Sequence, residues 1–316
     1  MSSTNLANAD VKVIASIKPV HSLVAAVMEG VGKPDLLVEG AGSPHTYSLK
    51  PSQAKKLQEA DIVFWMSHDL EAFLENSIEG IAANATSVPL MDAHGLIKLD
   101  FREGGAFDAH AHDDHDDHDE HKDHDDHDDH KDHKDHDDHD DHGHHGTDPH
   151  VWLDPVNAKA MIHEIEETLI EADPANASAY EANAEAMMSK LDYLVAEIDA
   201  QLQPVKGRGY VVFHDAYQYF ENRFGVSAVG SITVSPEVLP GAERVTELRE
   251  KVKNLDATCV FSEPQFEPKL VMTITESTNA GTGVLDPLGA SIDGGTELYF
   301  TLIRNMAKSL KDCLLR

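Results

Sequence analysis

The sequence predicts an α/β protein made of two doubly wound lobes, each a parallel sheet flanked by helices, with one long rigid helix joining them and a cleft between them. Three observations carry that expectation. Short β-branched runs alternate with helical stretches of about ten residues through the first third of the chain, as successive βα units require. The same alternation restarts near Tyr210 and continues to the end. Between the two lies a single uninterrupted helical pattern, Pro174 to Leu202, whose apolar residues recur at three- and four-residue steps.

In order, Val11–Ile17 (VKVIASI) reads as a strand, and Pro19 opens a helix that runs to Gly30. Asp35–Glu39 (DLLVE) is a second strand, leading into the Gly/Ser/Pro loop GAGSPHTYSLKPSQ that carries His45. A helix starting at Pro51 precedes the strand Ile62–Met66; Glu71–Ile81 is a helix and Ser87–Met91 a fourth strand. Helices are expected from about Pro155 to Glu171 and from Pro174 to Leu202, the second roughly 40 Å long at about 1.5 Å per residue. Its Tyr180, Ala184, Met187, Met188, Leu191, Leu194, Val195, Ile198 and Leu202 recur at three- and four-residue steps and are most simply a core face. The second lobe reads as strand Tyr210–Phe213, helix Ala216–Arg223, strand Val226–Ile232, helix Gly241–Asn254, strand Thr258–Ser262, helix Pro268–Thr278, strand Thr282–Leu285 and helix Glu297–Leu314. The domain expectation is therefore an N-terminal lobe over 11–173, a connecting helix over 174–203 and a C-terminal lobe over 204–316.

Composition narrows the function classes. The formal net charge is −32 over 316 residues, yet Asp108–Asp148 alone holds nineteen acidic residues against three lysines, half of that excess. Clustered Lys and Arg of the kind that binds nucleic acid are missing. No apolar run reaches the roughly 18 residues of a membrane span. The first ten residues, MSSTNLANAD, lack the basic patch and apolar core of a secretory leader, so a secretory signal, if the protein carries one, is expected to have been removed already. Two cysteines, Cys259 and Cys313, are too few for a disulfide scaffold but enough for one bond in an oxidising compartment.

Between Gly95 and Thr147 the helix and strand patterns vanish. From His112 to His142 every third residue is histidine, separated by Asp and an occasional Lys. Nothing there can bury enough apolar surface to offset its ordering entropy, so the segment over 95–147 is expected to be a mobile loop. A solvated acidic linker would explain the aspartates but not fourteen histidines: His110, His112, His115, His118, His121, His124, His127, His130, His133, His136, His139, His142, His144 and His145. Imidazole beside carboxylate binds divalent metal without fixed geometry, which makes this run an auxiliary capture element of lower affinity than a preformed cleft.

The candidate cleft ligands are few. His150 sits in DPHVWLDP, held between two prolines and an apolar Val-Trp-Leu cluster. His45 follows the second strand, and His214 and Asp286 directly follow strands of the second half. Parallel α/β sheets bind ligands at the carboxyl ends of their strands, so two facing lobes would bring these groups together. Three imidazoles with one carboxylate suit a tetrahedral cation such as Zn²⁺. Asp286 before Pro287 is equally well a turn initiator. Glu263, at a strand end, is placed to orient an imidazole through its other nitrogen.

SPHTYSLKPS around His45, DPHVWLDP around His150, VFHDAYQYF around His214, FSEPQF around Glu263 and LDPLG around Asp286 resemble, in the same order, the motifs of the zinc-binding receptors of bacterial ABC importers, the ZnuA type. The similarity runs from about Val11 to Leu314. It implies a periplasmic metal-specific solute-binding protein, expected to act as a monomer that delivers Zn²⁺ to an ABC importer membrane permease, with periplasmic metallochaperones as further partners and no nucleic acid. On this resemblance His45, His150 and His214 are the metal ligands, and the fourth position falls to water or to Asp286. A glutamate just before the first histidine, the option some members use, is closed here by Pro44. The resemblance also implies that Cys259 and Cys313 pair, and a histidine at 214, where manganese receptors commonly carry glutamate, favours zinc. A manganese or iron receptor is the alternative within the class. A tri-histidine zinc hydrolase with Glu263 as general base is the alternative outside it.

Overall fold

In the computed structural model, which describes residues 11–102, 107, 146–233, 241–255, 257–266, 268–276 and 278–316, the strands form two four-stranded sheets whose paired strands all run parallel. The first contains Val13–Ala15 (β1), Asp35–Leu36 (β2), Ile62–Trp65 (β3) and Thr86–Pro89 (β4), in the spatial order β2-β1-β3-β4. The second contains Tyr210–His214 (β5), Ala228–Thr233 (β6), Cys259–Ser262 (β7) and Gly281–Val284 (β8), in the equivalent order β6-β5-β7-β8. In each sheet the chain steps outward once and then crosses back, leaving a switch point between β1 and β3 and between β5 and β7. Such crevices at the carboxyl ends of the strands are where open α/β sheets hold ligands.

Helices Lys18–Val27 (α1), Pro51–Gln58 (α2) and Ala72–Ile81 (α3) belong to the first sheet. Pro155–Ala172 (α4) and Ala177–Leu202 (α5) follow the histidine-rich stretch. Gln218–Phe224 (α6), Ala242–Asn254 (α7), Pro268–Thr275 (α8) and Leu298–Leu314 (α9) complete the chain. The long helix thus starts three residues later than its periodicity predicts, because Pro174–Asn176 forms a separate 3₁₀ turn. Its 26 residues span about 39 Å at the usual rise. The second strand is shorter than expected, two residues at a sheet edge, where pairing on one side only gives less reason to stay regular.

Strand side chains alternate between two packing environments, as the two-residue period dictates. Val13 and Ala15 of β1, Ile62 and Phe64 of β3, Tyr210 and Val212 of β5, and Cys259 and Phe261 of β7 all enter one continuous core. Their neighbours Ile14, Val63 and Trp65 pack outward on Leu57, Leu74 and Ile78 of α2 and α3. On the second sheet Val211, Phe213 and Val260 pack outward on Leu248 and Val252 of α7 and Val271 and Ile274 of α8. The shared core also takes in the buried faces of α1, α4, α5 and α9, so the two lobes are not separate globules joined by a strand of linker. Both sheets are covered on their inner faces by one common helical layer. Dense packing of this kind leaves few voids and resists a wide hinge motion.

Cys259 in β7 and Cys313 near the end of α9 are joined by a disulfide, fastening the last helix to a central strand. The histidine run His110–His145 lies outside the described residues. Its two flanks are described, and they are more ordered than their sequence suggests: Asp100 bridges Thr147 in antiparallel fashion, and Asp148 N–H donates to the Leu99 carbonyl at 2.9 Å.

Candidate metal centre

Each of the three histidines is delivered by an element whose local structure its sequence explains. Pro44 starts a 3₁₀ turn, Pro44–Thr46, that presents His45 after β2. His150 caps a second 3₁₀ turn, Val151–Leu153, whose three apolar side chains are all completely buried and anchor His150 from below. His214 is the last residue of β5, at the switch point of the second sheet, with Glu263 just past β7 beside it.

Ligand-capable atoms of His45, His150 and His214 lie within 4.8 Å of one another, and no other grouping of three such residues occurs among the described residues. The Nε2 atoms of His150 and His214 stand 3.5 Å apart. Two nitrogens on one tetrahedral Zn²⁺, each about 2.0–2.1 Å from it, are separated by about 3.3 Å. The spacing therefore fits a shared cation of that size. Pro44, Trp152, Phe266, Pro287 and Leu288 wall the small cavity around the imidazoles. Such a lining limits water access and strengthens electrostatic interactions inside.

The other ring nitrogens of His214 and His150 are engaged. His214 Nδ1 is 2.7 Å from Glu263 Oε1, and Glu263 is only 2% exposed. His150 Nδ1 is 2.7 Å from Asp148 Oδ1, which also accepts the His150 backbone N–H at 3.0 Å. A carboxylate on Nδ1 fixes the tautomer and aims the Nε2 lone pair into the cavity. Burial pushes the Asp148 carboxyl up to about 6, opposed by the His150 backbone N–H, Gln218 and Arg102. Burial alone would lower the His214 imidazole, but the Glu263 carboxylate, together with Asp215 and Asp148, outweighs it and the net shift is upward. Two buried carboxylates facing three imidazoles give the cavity the charge a divalent cation needs.

Asp148 is the residue that sequence reasoning passed over, although a signal was there. An aspartate two positions before a residue whose N–H it can accept is an Asx turn, and DPH has that form. Asp286, by contrast, stands outside the three-histidine group. Its Oδ1 accepts from Gln265 Nε2 at 3.0 Å, Leu288 N–H at 3.2 Å and Gly289 N–H at 2.9 Å, and its Oδ2 accepts from Ala290 N–H at 2.7 Å. Its carboxylate thus organises the turn that places Pro287 and Leu288 on the cavity wall. His21, His68 and His163 have local partners instead: the Pro34 carbonyl, Glu75, and Glu166 with Glu167.

Comparison with known proteins bears on the whole chain. The family model described as zinc-uptake complex component A, periplasmic (ZnuA) matches residues 13–313. The high-affinity zinc uptake system protein ZnuA of Brucella abortus (strain 2308) is 60% identical over 304 residues, covering 96% of this chain and 91% of that protein. Its counterpart in Paracoccus denitrificans (strain Pd 1222) is 41% identical with the same coverage. Among solved structures, a ZnuA deletion mutant with zinc bound superposes with a TM-score of 0.73 at 24% identity, covering 96% of this chain and 98% of that one, which establishes the shared fold. No helix among the described residues is long and apolar enough to cross a membrane. With the match running from the first strand to the last helix, the chain belongs to the ZnuA family of periplasmic zinc-uptake components.

Proposed function

We propose that this chain captures Zn²⁺ in the periplasm and delivers it to the membrane permease of an ABC importer, holding the ion through His45, His150 and His214. The observation that carries this reading is the convergence of three imidazoles from both lobes, at a spacing one tetrahedral cation can bridge. Glu263 and Asp148 orient two of the rings. The fourth position falls to water, since four donors already engage the Asp286 carboxylate. The accompanying division of the chain is an N-terminal lobe to residue 173, a connecting helix and a C-terminal lobe from 204. Because one core runs through both, release to the permease proceeds by local distortion of the cleft rather than by wide opening. The residues His110–His145 supply a second, weaker capture element.

Zinc titration against a competing chelator tests this. His45→Ala, His150→Ala and His214→Ala should each weaken the tightest binding event by orders of magnitude. Deleting 110–145 should leave that event in place and lower total capacity. A deletion that abolished the tight event would reverse the assignment. Turnover of esters or peptides by the zinc-loaded protein would instead support a hydrolase.

A further inference from the structure

The flanks of the histidine-rich stretch form a stem that is fastened to the C-terminal lobe. Phe101 N–H donates to the Gly146 carbonyl at 3.1 Å, next to the bridge between Asp100 and Thr147. On α6, the Tyr219 hydroxyl donates to the Asp148 carbonyl at 2.8 Å and accepts the Leu99 N–H at 2.9 Å, while Gln218 donates to the Asp100 carbonyl at 2.9 Å. Arg102 closes the connection. Its Nε donates to Asp215 Oδ2 at 3.0 Å, its Nη2 to Asp215 Oδ1, and its Nη1 to Glu221 Oε2 at 2.6 Å. The side chains of Asp215 and Glu221 are 3% and 4% exposed, and the guanidinium also lies over the Phe107 ring at 4.1 Å.

The placement of this pair is more telling than its strength. Asp215 is the chain neighbour of His214, and Asp148, which orients His150, is laced into the same stem two residues from that ligand. The Arg102–Asp215 pair therefore joins the two segments that a cation would join through His150 and His214. A bidentate guanidinium–carboxylate pair fixes direction as well as distance. We infer that Arg102 is a positioning residue for the cleft, holding Asp215, and with it His214, at the spacing that lets His150 and His214 share one ion. This rests on the zinc-binding reading above. Ligands held at the right separation in advance spare the ion the cost of gathering them, and losing that restraint should appear mainly as faster release.

The test is stopped-flow release of Zn²⁺ to a chelator from the full chain. Arg102→Gln leaves two buried carboxylates without their cation, so the triple variant Arg102→Met, Asp215→Asn, Glu221→Gln accompanies it. Arg304→Gln serves as control, because it removes an exposed bidentate pair with Glu197 between α9 and α5. Losing a charge-assisted hydrogen-bonded pair predicts release about tenfold faster in either Arg102 variant. The visible absorption bands of the Co²⁺-saturated protein should be unchanged, since the ligands are the same, and the control should behave as native. A purely structural Arg102 would lower the melting temperature while release stayed at the native rate, and that result would overturn the inference. Hydrogen exchange on the unaltered protein decides the matter even if both variants misfold. Zinc should add protection at the Leu99, Phe101 and Asp148 amides together with β5, and a stem indifferent to zinc refutes the role. A native chain that bound no zinc would undo the reading beneath it instead.

Discussion

Replacing Asp148 with asparagine changes one atom in a side chain that is 1% exposed, and the structure indicates what that atom does. Oδ1 accepts two hydrogen bonds from His150, one from the ring and one from the backbone. Asparagine keeps an acceptor at that position, so the His150 tautomer and the number of ligands survive. The Oδ2 that accepts from Gln218 Nε2 at 3.3 Å becomes an amide, placing donor against donor. One of the two buried negative charges that face the imidazoles is lost as well. Outer partners of metal-bound histidines contribute about ten- to a hundredfold in affinity, equivalent to about 1.4–2.8 kcal/mol. Asp148→Asn should therefore bind the same number of zinc ions per cleft as native, one being expected for both, with a dissociation constant raised within that range. Competition against a chelator at fixed pH measures it, with circular dichroism confirming the fold. Binding within about twofold of native would show that the Asp148 carboxylate contributes nothing to the site, and the argument from paired carboxylates would fail.

Two further expectations concern stability. Glu71 is completely buried, taking Ser16 Oγ–H on one oxygen and the Met66 and Ser67 N–H groups on the other, and burial pushes its carboxyl up to about 7. The folded chain then holds a proton that the unfolded chain has released, so this group subtracts stability as pH rises from about 4.5 to about 7, by an amount on the order of 3 kcal/mol. Glu71→Gln copies the protonated acid and should gain on native across that window, as read by urea unfolding at several pH values; a constant difference with pH would contradict this. The Cys259–Cys313 disulfide closes a separation of 54 residues, worth about 4 kcal/mol in the chain-entropy model. Cys259→Ser with Cys313→Ser should lose up to that amount in denaturant unfolding while zinc affinity stays native, because neither sulfur approaches the cleft; a large loss of affinity would show coupling that the geometry does not contain.

Much of this arrangement is legible in the chain because local signals agree with the global fold. Strands ending in Ser-Glu-Pro and Phe-His-Asp, each followed by a helix, place Glu263 and His214 at strand ends without reference to coordinates. Prolines at 44 and 149 mark the turns that hold His45 and His150. What the sequence conceals is tertiary in origin. Arg102 sits in a stretch with no periodicity, and its partners are more than a hundred residues away. The shared core between the lobes depends on which faces of α1, α4, α5 and α9 meet, and helical periodicity identifies an apolar face but not its neighbour. Asp286 before a proline is compatible with turn or ligand until the three N–H groups that it accepts are located. Of the histidine run the chain reveals composition and spacing alone, and those residues lie outside the described structure.

X-ray absorption at the zinc edge addresses the ligand set most directly, using protein with 110–145 deleted and loaded with one equivalent of metal. Three imidazole nitrogens and one further light atom at about 2.0–2.1 Å, with the multiple-scattering pattern of histidine rings, are expected. Each single substitution among His45, His150 and His214 should remove one imidazole from that pattern. A shell that fits fewer than three histidines in the unsubstituted deletion protein, or that is unchanged by any of the three substitutions, would contradict the convergence of these residues on one ion.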